Sequence, residues 1–258
     1  MDLPILILLT LLGLAVGSFC NVLIYRIPKG EEFVKTPSHC MTCGHTLKWY
    51  ENIPLFSWLI QGGKCRSCKV KLSAQYPIVE ALNGLMWLLT GLIYRGYIFT
   101  GLSGDWLTVG LYCVLFSMLM VLSVIDWRTF TIPNGINLVI FLLGVVRVAT
   151  DLDNWLSYLI GMLAVALVFL LMNIATGGRG LGMGDVKLVA AAGLLIGWQK
   201  MLLAVLVGSL SGAIIHMIRM RGGEGRKLAF GPYLAAGIWF AVLVGDPLIS
   251  AYLGLFGL

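Results

Sequence analysis

Long apolar runs separated by short polar segments dominate this sequence. A helix that crosses the hydrocarbon core of a bilayer needs about 20 apolar residues, and eight runs approach or reach that length. The predicted spans lie at 3–25, 78–98, 106–125, 133–150, 155–175, 186–199, 201–219 and 229–246. The apolar tail beyond residue 246 is expected either to extend the last helix or to lie in the membrane interface. The pattern predicts an all-α polytopic membrane protein with about eight transmembrane helices.

The composition agrees with a membrane protein and excludes an ordinary soluble domain. Of the 258 residues, 59% are hydrophobic and 12% are charged, whereas soluble domains carry about 25% charged residues. A soluble protein of this size has no single core large enough to hide so much apolar surface. The first apolar run lacks the basic n-region and the small-residue cleavage site of a signal peptide, so we expect it to remain as the first transmembrane helix.

One long polar segment, residues 26–77, interrupts the apolar pattern and holds eight of the 18 Lys and Arg residues. It is predicted to be a small domain inserted between the first helix (1–25) and a membrane domain over 78–258. Lys and Arg collect in cytoplasmic loops. With the N-terminus outside, 15 basic residues fall on the cytoplasmic side and three fall outside. The net charge of +6 therefore reflects topology, and the expected partner is a lipid bilayer and not nucleic acid.

Four cysteines in the polar segment have the spacing of a metal site. Cys40 and Cys43 form one CxxC pair, Cys65 and Cys68 form a second, and 21 residues separate the pairs. Two such pairs suit a structural Zn²⁺ ion held by four thiolates, and a small domain with little core gains folding energy from the metal. Redox-active or unligated thiols are the alternative, and His39 or His45 could replace one thiolate.

Two aspartates lie at helix ends that the charge pattern places on the same, cytoplasmic side. Asp126 ends the third span in "VIDWRTFTIPN", and Asp185 opens the sixth in "GMGDVK". Ionisable groups near the bilayer are costly and mark functional sites. Two facing carboxyl groups share one proton, which lets the pair activate a water and donate a hydrogen bond to a carbonyl. This is the chemistry of aspartic peptide hydrolysis.

The glycines beside the second aspartate are candidates for substrate approach. Gly182 and Gly184 lack side chains and allow unusual backbone dihedrals, so an extended substrate could pass close to Asp185. Two simpler interpretations stay open at this point. The aspartates could form interfacial ion pairs with Arg128 and Lys187, and the glycines could serve close helix packing.

Taken together, the motifs resemble those of bacterial type IV prepilin peptidases over nearly the whole chain and in order. The segments that carry the resemblance are "GSFCNVLIYRIP" (17–28), the double CxxC, "YPIVEALNG" (76–84), "IDWRTFTIPN", "GMGDVKLVAAAGLLIG" and "FGPYLAAG" (230–237). The departures are small: Cys20 stands where an apolar residue is usual, and Asn134 where Asp is common.

The resemblance implies a bifunctional enzyme of the inner membrane. Such enzymes remove the basic leader peptide of prepilins or pseudopilins at the cytoplasmic face, with Asp126 and Asp185 as the catalytic pair. They then methylate the new N-terminal residue with S-adenosylmethionine. No standard loop for this methyl donor is visible. Asn21 and Glu80 are polar residues in apolar spans that could shape the methyl-transfer or peptide site, or simply join helices by hydrogen bonds.

Two alternatives compete with this interpretation. Other GxGD intramembrane aspartyl proteases also pair an aspartate with a glycine-flanked one, but they normally carry "YD" where this chain has "ID", and they lack the cysteine segment. A non-enzymatic zinc-bearing transporter or sensor would also use intramembrane carboxylates, but near the bilayer midplane and in broken helices.

Overall fold

The computed structural model describes residues 3–94, 106–178, 180–221 and 228–255. These residues form eight long helices, one at each predicted run, and one short helix, α2, in the polar segment. No strand occurs among them beyond two isolated bridges. The helices are α1 (Leu3–Arg26), α2 (Phe56–Ile60), α3 (Gln75–Tyr94), α4 (Trp106–Thr129), α5 (Asn134–Thr150), α6 (Trp155–Ala175), α7 (Met183–Ile196), α8 (Trp198–Arg221) and α9 (Gly231–Gly254).

Six of these helices, α1, α3, α4, α6, α8 and α9, are long and apolar enough to cross a membrane. The chain is therefore an all-α polytopic membrane protein, as predicted. Helix α5 has 17 residues and α7 has 14, so the expected total of eight spans stays a prediction. The tail extends the last helix as far as Gly254.

Consecutive long helices run in alternating directions. At one end of the bundle, the first residue of α9 contacts Asp126 near the end of α4, and Lys187 near the start of α7 contacts Asn134 at the start of α5. At the other end, Arg147 of α5 donates a 2.9 Å hydrogen bond to Tyr158 near the start of α6. The end that carries Asp126 also carries the polar segment, which joins the end of α1 to the start of α3.

Helix α4 forms the centre of the bundle and packs against α1, α3, α5 and α9. Close approach between helices elsewhere depends on glycine. A Cβ atom at Gly193 of α7 would strike the backbone of Gly161 in α6, and one at Gly237 of α9 would strike the backbone of α8. Such small-residue contacts are typical of membrane bundles.

Helix α7 is the shortest of the eight long helices and is largely enclosed by protein. Its 14 residues rise about 21 Å, less than the ~30 Å thickness of a bilayer core. Ten of the 14 are buried, mainly against α5 and α6. The helix begins at Met183, three residues before the predicted start, so Asp185 lies inside its first turn.

Candidate active site and cysteine cluster

Asp126 is buried near the end of α4, with 4% of its surface exposed. Its Oδ2 atom accepts a 2.9 Å hydrogen bond from the backbone N–H of Gly231, the first residue of α9. A Cβ atom at Gly231 would lie 2.7 Å from that same oxygen, so only glycine allows the amide to come this close. The sequence pattern singled out the "FGPYLAAG" segment but did not explain its first glycine. The fold explains it, because Gly231 donates to Asp126 at a position where a side chain would not fit.

Asp185 is buried in the first turn of α7. Its Oδ2 accepts a 3.1 Å hydrogen bond from the N–H of Gly182, which caps the start of the helix. Its Oδ1 is buried without a hydrogen-bond partner among the described residues. Asn137 of α5 supports the same turn, because its Nδ2 donates a 3.3 Å hydrogen bond to the carbonyl of Gly184. One oxygen of Asp185 is thus held while the other is left available.

The fold brings the two aspartates together at one end of the bundle, where their carboxyl groups are close enough to interact electrostatically. Neither forms a salt bridge with a described basic residue. Arg128 instead contacts the side-chain oxygen of Gln75, and Lys187 donates to Asn134 over 2.8 Å. The ion-pair interpretation of the aspartates therefore finds no support in these contacts. Two buried carboxyl groups that interact electrostatically are suited to acid–base chemistry on a polar substrate.

The two glycines of the GxGD segment have ordinary backbone conformations. Gly182 has φ −76° and ψ 149°, and Gly184 is absent from the positive-φ residues of the described chain. The expectation of unusual dihedrals is therefore wrong. Both positions instead lack room for a side chain. A Cβ atom at Gly182 would lie 3.1 Å from Asp185 Oδ2, and one at Gly184 would lie 2.9 Å from Cβ of Ile132. Their role in substrate approach stays a prediction.

The four cysteines of the polar segment converge. The sulfur atoms of Cys40, Cys43, Cys65 and Cys68 lie within 4.8 Å of one another, and the sulfur atoms of Cys40 and Cys68 are 3.9 Å apart. A tetrahedral zinc ion with Zn–S bonds of about 2.3 Å separates its ligands by about 3.8 Å. The geometry of the cluster fits the predicted structural Zn²⁺ ion. His45 is engaged elsewhere, since its Nε2 lies 3.1 Å from Oε2 of Glu51.

Backbone amides around the cluster favour thiolate ligands. The N–H groups of Cys43 and Thr42 lower the pKa of the Cys40 thiol to about 6. The Val70 amide acts in the same direction on Cys68, but desolvation and the neighbouring thiols outweigh it and raise the pKa of Cys68 to about 11. Cys40 thus ionises readily, whereas ionisation of Cys68 is opposed by desolvation and by the neighbouring thiols. A divalent cation would remove that opposition.

We expect the purified protein to hold about one zinc ion per chain in this cluster. Replacing the exposed Cys43 in the variant Cys43→Ser should abolish zinc retention and make residues 27–74 sensitive to protease, because the segment has little apolar core of its own. Elemental analysis and limited proteolysis measure the two effects. Cys113→Ser, which alters a cysteine of α4 outside the cluster, is the matched control. A wild-type protein free of zinc, with an equally resistant segment, would contradict the prediction.

A cavity of about 370 Å³ lies between the cysteine segment and the adjoining ends of α1 and α3. Asn21 and Glu80, the two polar span residues noted in the sequence, both line it, together with Tyr25, Tyr76 and Glu51. No local pattern of residues indicates the cavity itself, because its walls come from three separate stretches of chain.

Comparison with known families gives two matches along the chain. Residues 11–94 match the bacterial peptidase A24 N-terminal domain, and residues 113–217 match the type IV leader peptidase family. The first match contains the cysteine cluster and the cavity-lining residues, and the second contains both aspartates. No solved structure gives a significant match.

Curated relatives are similar over nearly the whole chain. A prepilin leader peptidase/N-methyltransferase of Pseudomonas aeruginosa is 36% identical, and the similarity covers 94% of this chain and 91% of the relative. The protein of the same name from Stutzerimonas stutzeri is 35% identical with the same coverage. The one from Neisseria gonorrhoeae is 31% identical over 93% of this chain and 90% of its own length.

Proposed function

This chain belongs to the type IV leader peptidase family, and on that premise we propose that it removes the leader of type IV prepilins or pseudopilins and then methylates the new N-terminus. The single observation that carries the first activity is the buried pair of carboxyl groups at one end of the bundle. Membership of a peptidase family also leaves the transporter or sensor alternative without support.

The proposed cleavage uses the two aspartates as a proton-sharing pair. One carboxylate takes a proton from a water molecule as its oxygen attacks the scissile carbonyl carbon. The other carboxyl group, protonated at the start, donates a hydrogen bond to the carbonyl oxygen. The tetrahedral intermediate collapses when a proton passes to the leaving amine, and the pair returns to its singly protonated state. The N–H groups of Gly231 and Gly182 hold one oxygen of each aspartate in place.

The unpartnered oxygen of Asp185 has a defined task in this scheme. A buried polar atom without a hydrogen bond is costly, and native structures keep few of them. Asp185 Oδ1 is such an atom among the described residues. We assign it to the attacking water or the substrate carbonyl, either of which would satisfy it during the reaction.

The methylation would require S-adenosylmethionine, which supplies an electrophilic methyl group. The zinc ion, held by the four cysteines, would serve structure only, because four protein thiolates leave no open position on a tetrahedral metal.

We also propose that the end of the bundle with the aspartates faces the cytoplasm, which leaves the N-terminus outside. The chain is a multi-pass inner-membrane protein, and its polar, lysine-rich segment lies at this end. Positive residues favour the cytoplasmic side. Four of the basic residues counted in the sequence lie outside the described part of the chain: Arg95, Arg179, Arg226 and Lys227.

Coexpression with a type IV prepilin, in a strain without its own leader peptidase, tests the proposed function. We expect mass spectrometry of the matured pilin to show loss of the leader and one added methyl group on the new N-terminal residue. One spectrum reads the cleavage site and the methylation together. Prepilin that keeps its leader, at normal levels of the membrane-inserted enzyme, would overturn the proposal.

A further inference from the structure

The cavity beside the cysteine cluster is separate from the aspartate pair. At about 370 Å³ it falls in the range of about 300–1,000 Å³ typical of small-molecule sites. Asn21, Tyr25, Tyr76 and Glu80 come from the adjoining ends of α1 and α3, and the polar segment closes the cavity with residues that include Trp58. Asp126 and Asp185 do not line it. An enzyme with two activities needs a second site, and this cavity has the dimensions of one.

The walls of the cavity combine acidic and aromatic groups with two basic ones, Arg26 and Lys71, of which Arg26 donates its hydrogen bonds to backbone carbonyls. Glu80 is 7% exposed, and its Oε2 accepts a 2.8 Å hydrogen bond from the N–H of Leu55. The rings of Tyr25 and Tyr76 are stacked, with centroids 5.8 Å apart and planes 16° apart. Carboxylates and the faces of aromatic rings both attract cations, and flat rings also accommodate a nucleobase. The surface therefore suits a positively charged ligand with a planar aromatic part.

A buried donor on the cavity wall has no partner. The indole Nε1 of Trp58 is buried and makes no hydrogen bond within the described chain, although Trp58 lines the cavity. Indole N–H groups usually find an acceptor when buried. A ligand that carries acceptor atoms would satisfy this donor.

Hydrogen bonds connect the cavity to the peptidase end of α4. Arg128, two residues after Asp126, contacts the side-chain oxygen of Gln75 and lies over the ring of Tyr25, with 5.5 Å between Cζ and the ring centroid. Gln75 Nε2 donates in turn to Oδ1 of Asn21 over 3.3 Å. The two sites thus lie at the same end of the bundle and are joined by this chain of contacts.

We propose that this cavity is the S-adenosylmethionine site, with Glu80 facing the positive charge of the methyl donor, the tyrosine pair beside its adenine, and Trp58 donating to one of its acceptors. The assignment rests on the proposed function. In the transfer, the neutral amine of the new N-terminus attacks the methyl carbon, and the carbon–sulfur bond breaks with its electron pair on sulfur. The products are S-adenosylhomocysteine and an N-methylammonium group. The proton that the amine gave up beforehand passes to solvent.

Binding of S-adenosylmethionine to the purified full-length protein in detergent tests the assignment without prepilin. We expect saturable binding by titration calorimetry. Ultraviolet cross-linking of radiolabelled S-adenosylmethionine to the unaltered protein should label peptides that contain residues 18–25, 51–58 or 73–80. A label confined to the segments around Asp126 and Asp185, or no saturable binding at all, would overturn the proposal.

Variants test the individual contacts. Glu80→Gln keeps an oxygen for the N–H of Leu55 but loses the charge, so Kd should rise at least tenfold, as expected for a lost charge-assisted interaction. Glu31→Gln, on an exposed side chain whose partner is Lys29, is the matched control and should bind normally. Zinc content and thermal stability report whether each variant is folded. Equal affinity in folded Glu80→Gln would remove Glu80 from the site. Prepilin cleavage by the unaltered protein is measured in parallel. If cleavage is normal but binding of S-adenosylmethionine fails, the assignment of this cavity is wrong; if cleavage fails as well, the proposed function is wrong.

Discussion

Asp126→Asn and Asp185→Asn should each reduce leader cleavage by about 10²–10⁴-fold, the usual contribution of a positioned acid or base. Asparagine has nearly the same shape as aspartate and keeps an oxygen that can accept the N–H of Gly231 or Gly182. It can neither take the proton of the attacking water nor begin the reaction protonated on oxygen. Single-turnover cleavage of a purified prepilin in proteoliposomes measures the effect.

The double variant gives a sharper result than either single one. Groups that act as one unit are strongly non-additive, so Asp126→Asn combined with Asp185→Asn should be only slightly slower than the slower single variant. Asp153→Asn, on an exposed side chain beyond the far end of α5, is the matched control and should cleave normally. If both single variants still processed the leader at the normal rate, the aspartyl mechanism would be wrong.

Gly231→Ala is expected to lower the rate of cleavage by about 10²-fold while the protein still folds and inserts. The new Cβ atom would meet Asp126 Oδ2 at 2.7 Å and the side chain of Leu122 at 3.1 Å. The carboxylate is the free end of a short side chain, so it can move aside at little cost in stability. That movement displaces a catalytic oxygen, and misplacement by about 1 Å can cost about 10²-fold in rate. Single-turnover cleavage of the purified prepilin measures the loss of rate.

The control for Gly231→Ala is an equivalent change at a helix start where there is space. Gly135 lies in the first turn of α5, and an added Cβ atom there meets nothing within 4 Å. Gly135→Ala should cleave normally. Both variants should keep their zinc and their binding of S-adenosylmethionine, since neither residue lines the cavity. Normal cleavage by Gly231→Ala would show that the Gly231 amide does not position Asp126.

Much of the architecture follows from local sequence. Each of the eight apolar runs became a helix, because a stretch of apolar residues in a bilayer must satisfy its backbone hydrogen bonds internally. The paired CxxC spacing predicted the cluster of four sulfur atoms, because each pair forms a local knuckle and only the distance between the knuckles is left open. The exact ends of the helices were harder to predict from the sequence. Helix α7 starts three residues early because the Gly182 amide and the Asp185 side chain cap its first turn.

Contiguous patterns of residue types were enough to predict the membrane class and the helices, and to single out four cysteines and two aspartates as candidate site residues. The fold adds what no local pattern shows: Asp126 and Asp185 lie close enough to interact electrostatically, the amide of Gly231 holds Asp126 across 105 positions of sequence, and Asn21, Glu80 and the tyrosine pair line one cavity. These features depend on how separate helices pack against one another. Packing is set by the fit of many side chains at once, and no single stretch of the chain records it.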